Sequence, residues 1–480
     1  MRLTGVQAGV RRLAGRIPAP VAVLVLGFGA SRVLLDLLGV RFVAGGLPLF
    51  FQFVDPELLR GRLLESVFYL HSQPPLFNLF LGAGLKLAPD DYELLFGFAF
   101  HVAGLGLVLA LYGLLVRLGF APWLAVGIAL LCAVTPSVVL TESWLFYDHP
   151  VAALLVASVL AFHAYATRPS FARAAAFFGL AAALVLTRSV FQFLWLGLAL
   201  ALVLLAARTR RTTLLAAALP VALVLGLYAK NAVLFGTFST SSWYGLSLAR
   251  TVLPNVPLEE RRAFVRAGRL SPVALRWPFS PLSEFPKRLA DTEPTGIPVL
   301  DRPTKGSGAP NFNHRAYLGL SSDYRDAALW TVRRKPGAYL DGIGLGVGRF
   351  FDAGTDDPGF RRNQRRLREW GSAYERLFAR ASLTGGVRVS AMMLVYALAL
   401  GYAALRLVSG MRRERRLCPA AATLAYVVVT VAYLVVVWVA TDNGETFRAR
   451  MLTEPLVLFL LLPLALRAGL ARLPRRTGFL

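Results

Sequence analysis

Carboxylates, histidines and arginines gather in a few short stretches of an otherwise oily chain. "FFQFVDPELL" carries Asp55 and Glu57, and "TESWLFYDHP" (Thr141 to Pro150) carries Glu142, Asp148 and His149. "TDNGETFRAR" (Thr441 to Arg450) carries Glu445, Arg448 and Arg450, followed closely by Glu454 and Pro455. Two acids converging on one cleft suit acid–base work or cation binding. A carboxylate at the boundary of oil and water is partly desolvated, which favours a general-base role. Guanidinium groups beside apolar helices suit capture of a phosphate, which they bind bidentately. Lys230 and Arg188, at the ends of apolar runs, are placed to contribute.

Each of these stretches also has a plainer reading. Asp55-Pro56-Glu57 has the residue types of a helix start, as N-cap, N1 and N2. Glu142 and Asp148 read as solvated loop acids, and His71 and His149 as hydrogen-bonding structural residues. Lys230 and Arg188 read as cations snorkelling to lipid phosphates. Arg32 and Asp36 lie four apart in an apolar run and read as a mutual pair fixing helix packing. The residues alone leave these alternatives open.

The elements that must position these groups are membrane spans. The chain has 480 residues, 56% of them hydrophobic. Apolar runs of roughly 20 residues, enough to cross about 30 Å of hydrocarbon, recur along it and argue for a polytopic membrane protein rather than a soluble bundle. Ten are predicted, at about 20–40, 92–116, 122–140, 150–167, 173–187, 189–207, 213–233, 388–407, 420–440 and 451–468. The formal net charge is +25, and Lys occurs only at positions 86, 230, 287, 305 and 335. Much of the Arg sits in short clusters between apolar runs, as positive-inside topology leaves it, so acidic or phosphorylated lipids are expected partners and nucleic acid is not. Cys132 and Cys418 form no CxxC pair and the five histidines no HExxH cluster, which argues against a disulfide framework or a zinc site. The N-terminal segment reads as an uncleaved signal anchor.

"YLHSQPPLFNLFLG" (Tyr69 to Gly82) opens a helix over 74–88 that rises only about 22 Å, too short to cross. Ser72 or Gln73 is expected to cap it. Treated as interfacial or re-entrant, it leaves Arg117, Arg168 with Arg173, Arg208 to Arg211, "MRRERR" (Met411 to Arg416) and "RLPRR" on the side of Arg2, Arg11, Arg12 and Arg16. Both termini are then cytoplasmic, and the chemistry-bearing stretches share the extracytoplasmic face, with His71 and Gln73 at a cleft rim. Three regions follow: 1–233, a transmembrane module with outer loops; 234–387, an extracytoplasmic cap with surface helices; and 388–480, C-terminal transmembrane helices.

In order and in common side, four stretches resemble the GT-C superfamily of polytopic glycosyltransferases, above all its dolichyl-phosphate-mannose mannosyltransferase-like, bacterial lipid A and cell-envelope branch. They are "VDPELL", "LHSQPPLFNLFLG", "KNAVLFGTFSTSSWYGLSL" (Lys230 to Leu248) and "GETFRARMLTEPL". The resemblance implies sugar transfer from a polyprenyl-phosphate donor to an extracytoplasmic glycan, lipid or protein acceptor. It implies Asp55 as base on the acceptor hydroxyl, Glu142 or Asp148 as second acid, and Arg448 and Arg450, aided by Lys230 and Arg188, on the donor phosphate. Glu57, His71, Gln73, His149 and Glu445 are then the candidates for acceptor or sugar binding. Direct displacement with a single base implies inversion. The chain departs from the pattern at His71-Ser72-Gln73, where many relatives have Lys or His immediately before the prolines. Its second loop lacks a clean Asp-x-Asp, which leaves a divalent cation open; no other cofactor is implied. A transporter or lipid flippase is the alternative, although such proteins usually show inverted repeats and a midplane site, and only Arg32 and Asp36 lie deep.

Overall fold

The computed structural model describes residues 18–206, 210–382, 388–413 and 418–470. The chain opens with α1 (Ala19–Leu37), then two short helices, α2 (Pro56–Gly61) and α3 (Leu63–Phe68), then α4 (Pro75–Leu87) and α5 (Tyr92–Arg117). α6 (Pro122–Val134), α7 (Pro136–Glu142), α8 (Asp148–Thr167), α9 (Phe171–Thr187), α10 (Phe193–Ala206) and α11 (Arg210–Phe235) follow. A capping region holds α12 (Tyr244–Val252), α13 (Leu258–Arg266), α14 (Ala316–Arg334), α15 (Pro336–Phe350) and α16 (Arg361–Arg376). It closes with strands β1 (Arg380–Ser382) and β2 (Arg388–Ser390), antiparallel with Arg380 opposite Ser390. α17 (Ala391–Arg413), α18 (Pro419–Thr441) and α19 (Thr446–Leu470) complete the bundle; α19 carries a π turn at Val457–Leu461, just after Pro455.

Among the described residues seven helices are long and apolar enough to cross a membrane: α1, α5, α8, α11, α17, α18 and α19. The pair α6 and α7, bent by 59°, makes an eighth. α9 and α10 are apolar but shorter, at 17 and 14 residues. All ten predicted apolar segments are therefore helices of one bundle, and the protein is an all-α, multi-pass membrane protein. Two apolar cores form. One fills the bundle; the other, within residues 243–328, packs Trp243, Phe312, Tyr317 and Tyr324 inside the cap.

Local chemistry explains the bend. Pro136 has no N–H to donate and disfavours a helical residue before it. The Thr135 hydroxyl takes the Leu131 carbonyl at 2.9 Å, and the Val134 carbonyl accepts the Trp370 indole N–H at 2.7 Å. α16 thereby serves as an external cap on a broken span.

α4 is 13 residues long, and its N-cap position is Pro74 with no side-chain cap, so Ser72 and Gln73 do other work. Its first turn meets the loop after α1, where the Val54 N–H donates to Asn78 Oδ1 at 2.8 Å, and its last turn leads straight into α5. Both ends lie at the same end of the bundle, the end that also gathers the 41–55 loop, residues 143–147 and the cap. At the opposite end, Arg467 donates to the Leu118 and Gly119 carbonyls at 3.3 and 2.6 Å, close to Arg117. Arg2, Arg11, Arg12, Arg16, Arg208, Arg415, Arg416 and "RLPRR", which carry part of the topology reading, lie outside the described residues.

The expected Arg32–Asp36 pair does not form. Arg32 donates its Nε to Glu142 Oε1 at 2.8 Å, while Asp36 pairs with Arg41. A carboxylate on α7 outcompetes the neighbour one turn away because it is buried at 2% exposure, whereas Asp36 is 65% exposed and meets water.

Replacing Trp370 with Phe is expected to leave the Val134 carbonyl without its donor. The cost is about 0.5–1.5 kcal/mol, read as a lower melting temperature in detergent and faster amide exchange around 134–138.

Candidate functional site

The bundle end that carries the cap holds a cleft of about 130 Å³. Its polar wall comes from separate segments: Arg188 at the end of α9, Arg250 on α12, Arg448 on α19, and Asp442 and Glu445 between α18 and α19. Phe51, Tyr147, Trp243 and Trp438 supply aromatic walls, and Gln52 and Gln73 line it too.

Asp148, the first residue of α8, organises the floor. One of its oxygens accepts from Arg188 and the other from Arg448 Nε at 2.6 Å. Both guanidiniums are stacked on rings: Arg188 lies 4.3 Å from Tyr147 and 4.4 Å from Trp438, and Arg448 lies 4.1 Å from Phe146. Cation–π contact holds a buried guanidinium in place without using its N–H groups. Arg448 also pairs with Glu445, and Arg250 with Asp442, whose other oxygen accepts from Ser247 at 3.2 Å. Three polar atoms of this cleft remain buried without a partner: Arg448 Nη2, Arg250 Nε and Gln52 Oε1. Burial also pushes the Tyr147 phenol up, so the ring that lines the cleft is neutral.

Arg188, Asp148, Gln73, Glu445 and Arg448 thus come together. The other residues singled out in the sequence stand elsewhere. Asp55 is the N-cap of α2, with Oδ1 accepting from the Glu57 N–H at 3.1 Å, the helix-start arrangement. Its Oδ2 accepts from the Gly306 N–H at 2.7 Å under a hairpin that Thr304 and Pro310 close. Lys305 of that hairpin is buried, donates to the Phe50 carbonyl at 2.6 Å, and is lowered by burial to about 8. Glu57 faces outward and pairs with Arg302 at 2.9 Å.

Glu142 is the centre of a second cluster. It accepts from Arg32, from His101 Nδ1 at 2.6 Å, and lies 3.8 Å from His149 Nε2. A Cβ at position 104 would fall 2.7 Å from Glu142 Oε2, which explains Gly104 on the facing turn of α5. Asp148 and His149 are adjacent in sequence, yet one serves the cleft and the other this cluster.

Arg450 is fully buried and does not reach the cleft. It pairs with Glu454 one turn on, bonds the Tyr374 hydroxyl at 2.8 Å, and donates to the Asp352 and Ala353 carbonyls at 3.1 and 2.7 Å. Lys230 donates to the Phe68 and Leu70 carbonyls, both at 2.8 Å. It pins the segment before Pro74 rather than lining the cleft.

His71 and Ser72 are buried inside the joint between bundle and cap, not at a cleft rim. Both backbone N–H groups donate to Asn313 Oδ1, at 2.8 and 3.0 Å. His71 Nε2 meets the Asn313 carbonyl at 2.9 Å, so it carries the proton, and Nδ1 accepts from the Ser242 hydroxyl at 2.7 Å. A neutral imidazole satisfies both partners, and burial lowers His71 to about 3.

Sequence reasoning missed Arg250 and Asp442. Arg250 follows by two residues the stretch singled out after Lys230, one helical register beyond its end. Asp442 stood within "TDNGETFRAR", masked by the more numerous charges after it. Among the described residues no three His, Cys, Asp or Glu side chains gather as a metal site.

No protein-family model matches the chain, and no curated protein matches it in sequence. Among solved structures it is similar to ArnT from Cupriavidus metallidurans in the apo state, over 92% of this chain and 78% of that one, with 14% identity and a TM-score of 0.35. A likeness of that size carries no weight for function, which has to come from the cleft itself.

The pH dependence of the joint follows from His71. Its folded pKa, about 3, lies below the unfolded value of 6.5. Below pH 6.5 the unfolded chain takes a proton that the folded chain refuses, so stability is full above 6.5 and falls as pH drops toward 3. The slope from this group is about 1.4 kcal/mol per pH unit. A melting-temperature series from pH 7 to 4 should show that loss in the wild type and a shallower one in His71→Gln.

Proposed function

We propose that the cleft is the reaction centre of an integral membrane glycosyltransferase that uses a polyprenyl-phosphate-linked sugar. The observation that carries this reading is the convergence of Arg188, Arg250 and Arg448 from three separate segments, with Arg448 Nη2 and Arg250 Nε buried and unpartnered. Two guanidinium groups that line one cleft and each keep a donor without a partner are the complement of phosphate oxygens. Apolar Val190 and Val437 on the same wall suit an isoprenoid chain, and Trp243 and Trp438 present faces to a sugar ring.

In this reaction the bond from the anomeric carbon to the phosphate oxygen breaks, and the acceptor oxygen bonds to that carbon from the opposite side. The phosphate leaves with the electron pair, and the acceptor hydroxyl proton passes to a carboxylate. Arg448 and Arg250 stabilise the developing charge on the phosphate. Inversion follows from a single displacement. With 1–233 and 388–480 as the membrane regions and 234–387 as the cap, the cleft faces the extracytoplasmic side of the plasma membrane, both termini are cytoplasmic, and the acceptor is a glycan, lipid or protein hydroxyl.

Two carboxylates compete for the proton, and they differ in access. Glu445 lines the cleft with a 40% exposed side chain, its pairing with Arg448 open to replacement by phosphate. Asp55 sits beneath the Gly306 hairpin and acts only when that hairpin lifts.

Transfer of label from polyprenyl-phosphate sugars to membrane acceptors tests the reading. Arg448→Ala and Arg250→Ala should each lower kcat by about 10²–10³, with Arg448→Lys as a folding control. Uptake of the intact donor into vesicles, with no covalent product, would replace this reading with the transporter one. Wild-type rates in Asp55→Asn beside a loss of similar size in Glu445→Gln assign the proton to Glu445; the reverse pattern assigns it to Asp55.

A further inference from the structure

α16 has a chemistry that the cleft does not use. It kinks at Arg368, where φ is 46°; its buried residues are Asn363 and Leu367 before the kink and Gly371 and Tyr374 after it. Arg361, Arg362, Arg365, Arg366 and Arg368 are all exposed. Among the described residues none of the five has a carboxylate within salt-bridge reach. The helix's own acids are Glu369, which is exposed, and Glu375, which bonds Thr355 and Gln364.

The position of α16 fixes its depth. Asn363 exchanges hydrogen bonds with the backbone of Arg41, at 3.0 and 2.7 Å, just beyond the end of α1. The Arg366 guanidinium lies over Gly39, and Trp370, 46% exposed, reaches the break between α6 and α7. α16 therefore runs from the cap-side end of α1 to the break within the α6–α7 span. Directly below it, Val33, Leu34 and Leu37 of α1 are 62%, 57% and 78% exposed, as a lipid-facing surface would be. A basic segment with a Trp at its edge, set at the boundary of such a surface, has the residue types suited to head-group depth.

Beside it opens a groove of about 310 Å³ between α1 and α5. Leu35, Phe42, Leu94 and Phe98 wall it. Its internal charges are largely compensated, Arg32 by Glu142 and Arg41 by Asp36, with Glu93 left at the rim. The surplus positive charge of this region thus belongs to α16.

We propose that α16 and this groove bind an anionic phospholipid from the leaflet on the cap side. The head-group phosphate meets Arg362 and Arg366, and an acyl chain runs down the groove along Leu94 and Phe98. The occupant is a lipid rather than a free anion because the cationic face adjoins an apolar groove and an exposed apolar helix surface. This interaction is independent of the transferase reading, and either stands without the other.

The test uses the purified full-length protein in detergent, incubated with vesicles of equal phosphatidylglycerol and phosphatidylcholine, with retained lipid counted by mass spectrometry. The wild type should enrich phosphatidylglycerol, and Arg362→Gln with Arg366→Gln should lose on the order of 10-fold of that enrichment. Arg362→Lys with Arg366→Lys should keep it. Melting temperature should rise with phosphatidylglycerol but not with inorganic phosphate. Equal retention of the two lipids by the wild type, an equal rise with inorganic phosphate, or the same loss in the Lys and Gln pairs would overturn the proposal.

Discussion

The cap-side end of this protein depends on a single shared carboxylate. Asp148 holds Arg188 with one oxygen and Arg448 with the other, which ties the start of α8 to the end of α9 and to α19. A buried carboxylate between two guanidiniums is tolerated only with its oxygens satisfied, and removing it would strand two cations in an apolar surround. The aromatic rings around the pair keep both guanidiniums facing the cleft. Arg250 and Asp442 extend the same arrangement toward the cap, so bundle and cap meet at the cleft through ion pairs as well as through apolar packing.

Much of the fold was legible in the sequence because membrane spans announce themselves by length and hydropathy. All ten apolar segments became helices, and α4 proved as short as its residue count required. Three of the four stretches that carry the resemblance border the cleft, at Gln73, at Trp243, Tyr244 and Ser247, and at Glu445 and Arg448, while "VDPELL" does not. Which side chain of each stretch turns inward was not legible. Asp55, Glu142 and Arg450 had suitable chemistry and similar placement, yet each is held by partners far along the chain, at Gly306, Arg32 and Tyr374. Local spacing speaks to neighbours one turn away; it is silent about a partner a hundred residues on, as the Arg32–Asp36 expectation illustrates.

"HSQPP" shows the same limit from another side. Its polar residues precede two prolines on a short helix at the cap-side end, which suits a site wall, and Gln73 does line the cleft. His71 and Ser72 instead fill the joint with Asn313 and Ser242, residues of a cap whose fold no periodicity in the sequence disclosed. A neutral imidazole donating at one nitrogen and accepting at the other joins two backbone segments that otherwise would each bury unmatched polar groups.

The cleft balances Arg188, Arg250 and Arg448 against Asp148, Asp442 and Glu445, so the formal charge of its side chains sums to near zero. An anion in bulk solution therefore senses little field from it beyond a Debye length. Selection has to occur at contact, after a carboxylate yields its guanidinium. A ligand confined to the bilayer plane arrives by lateral diffusion and does not need electrostatic steering, whereas a soluble competitor does.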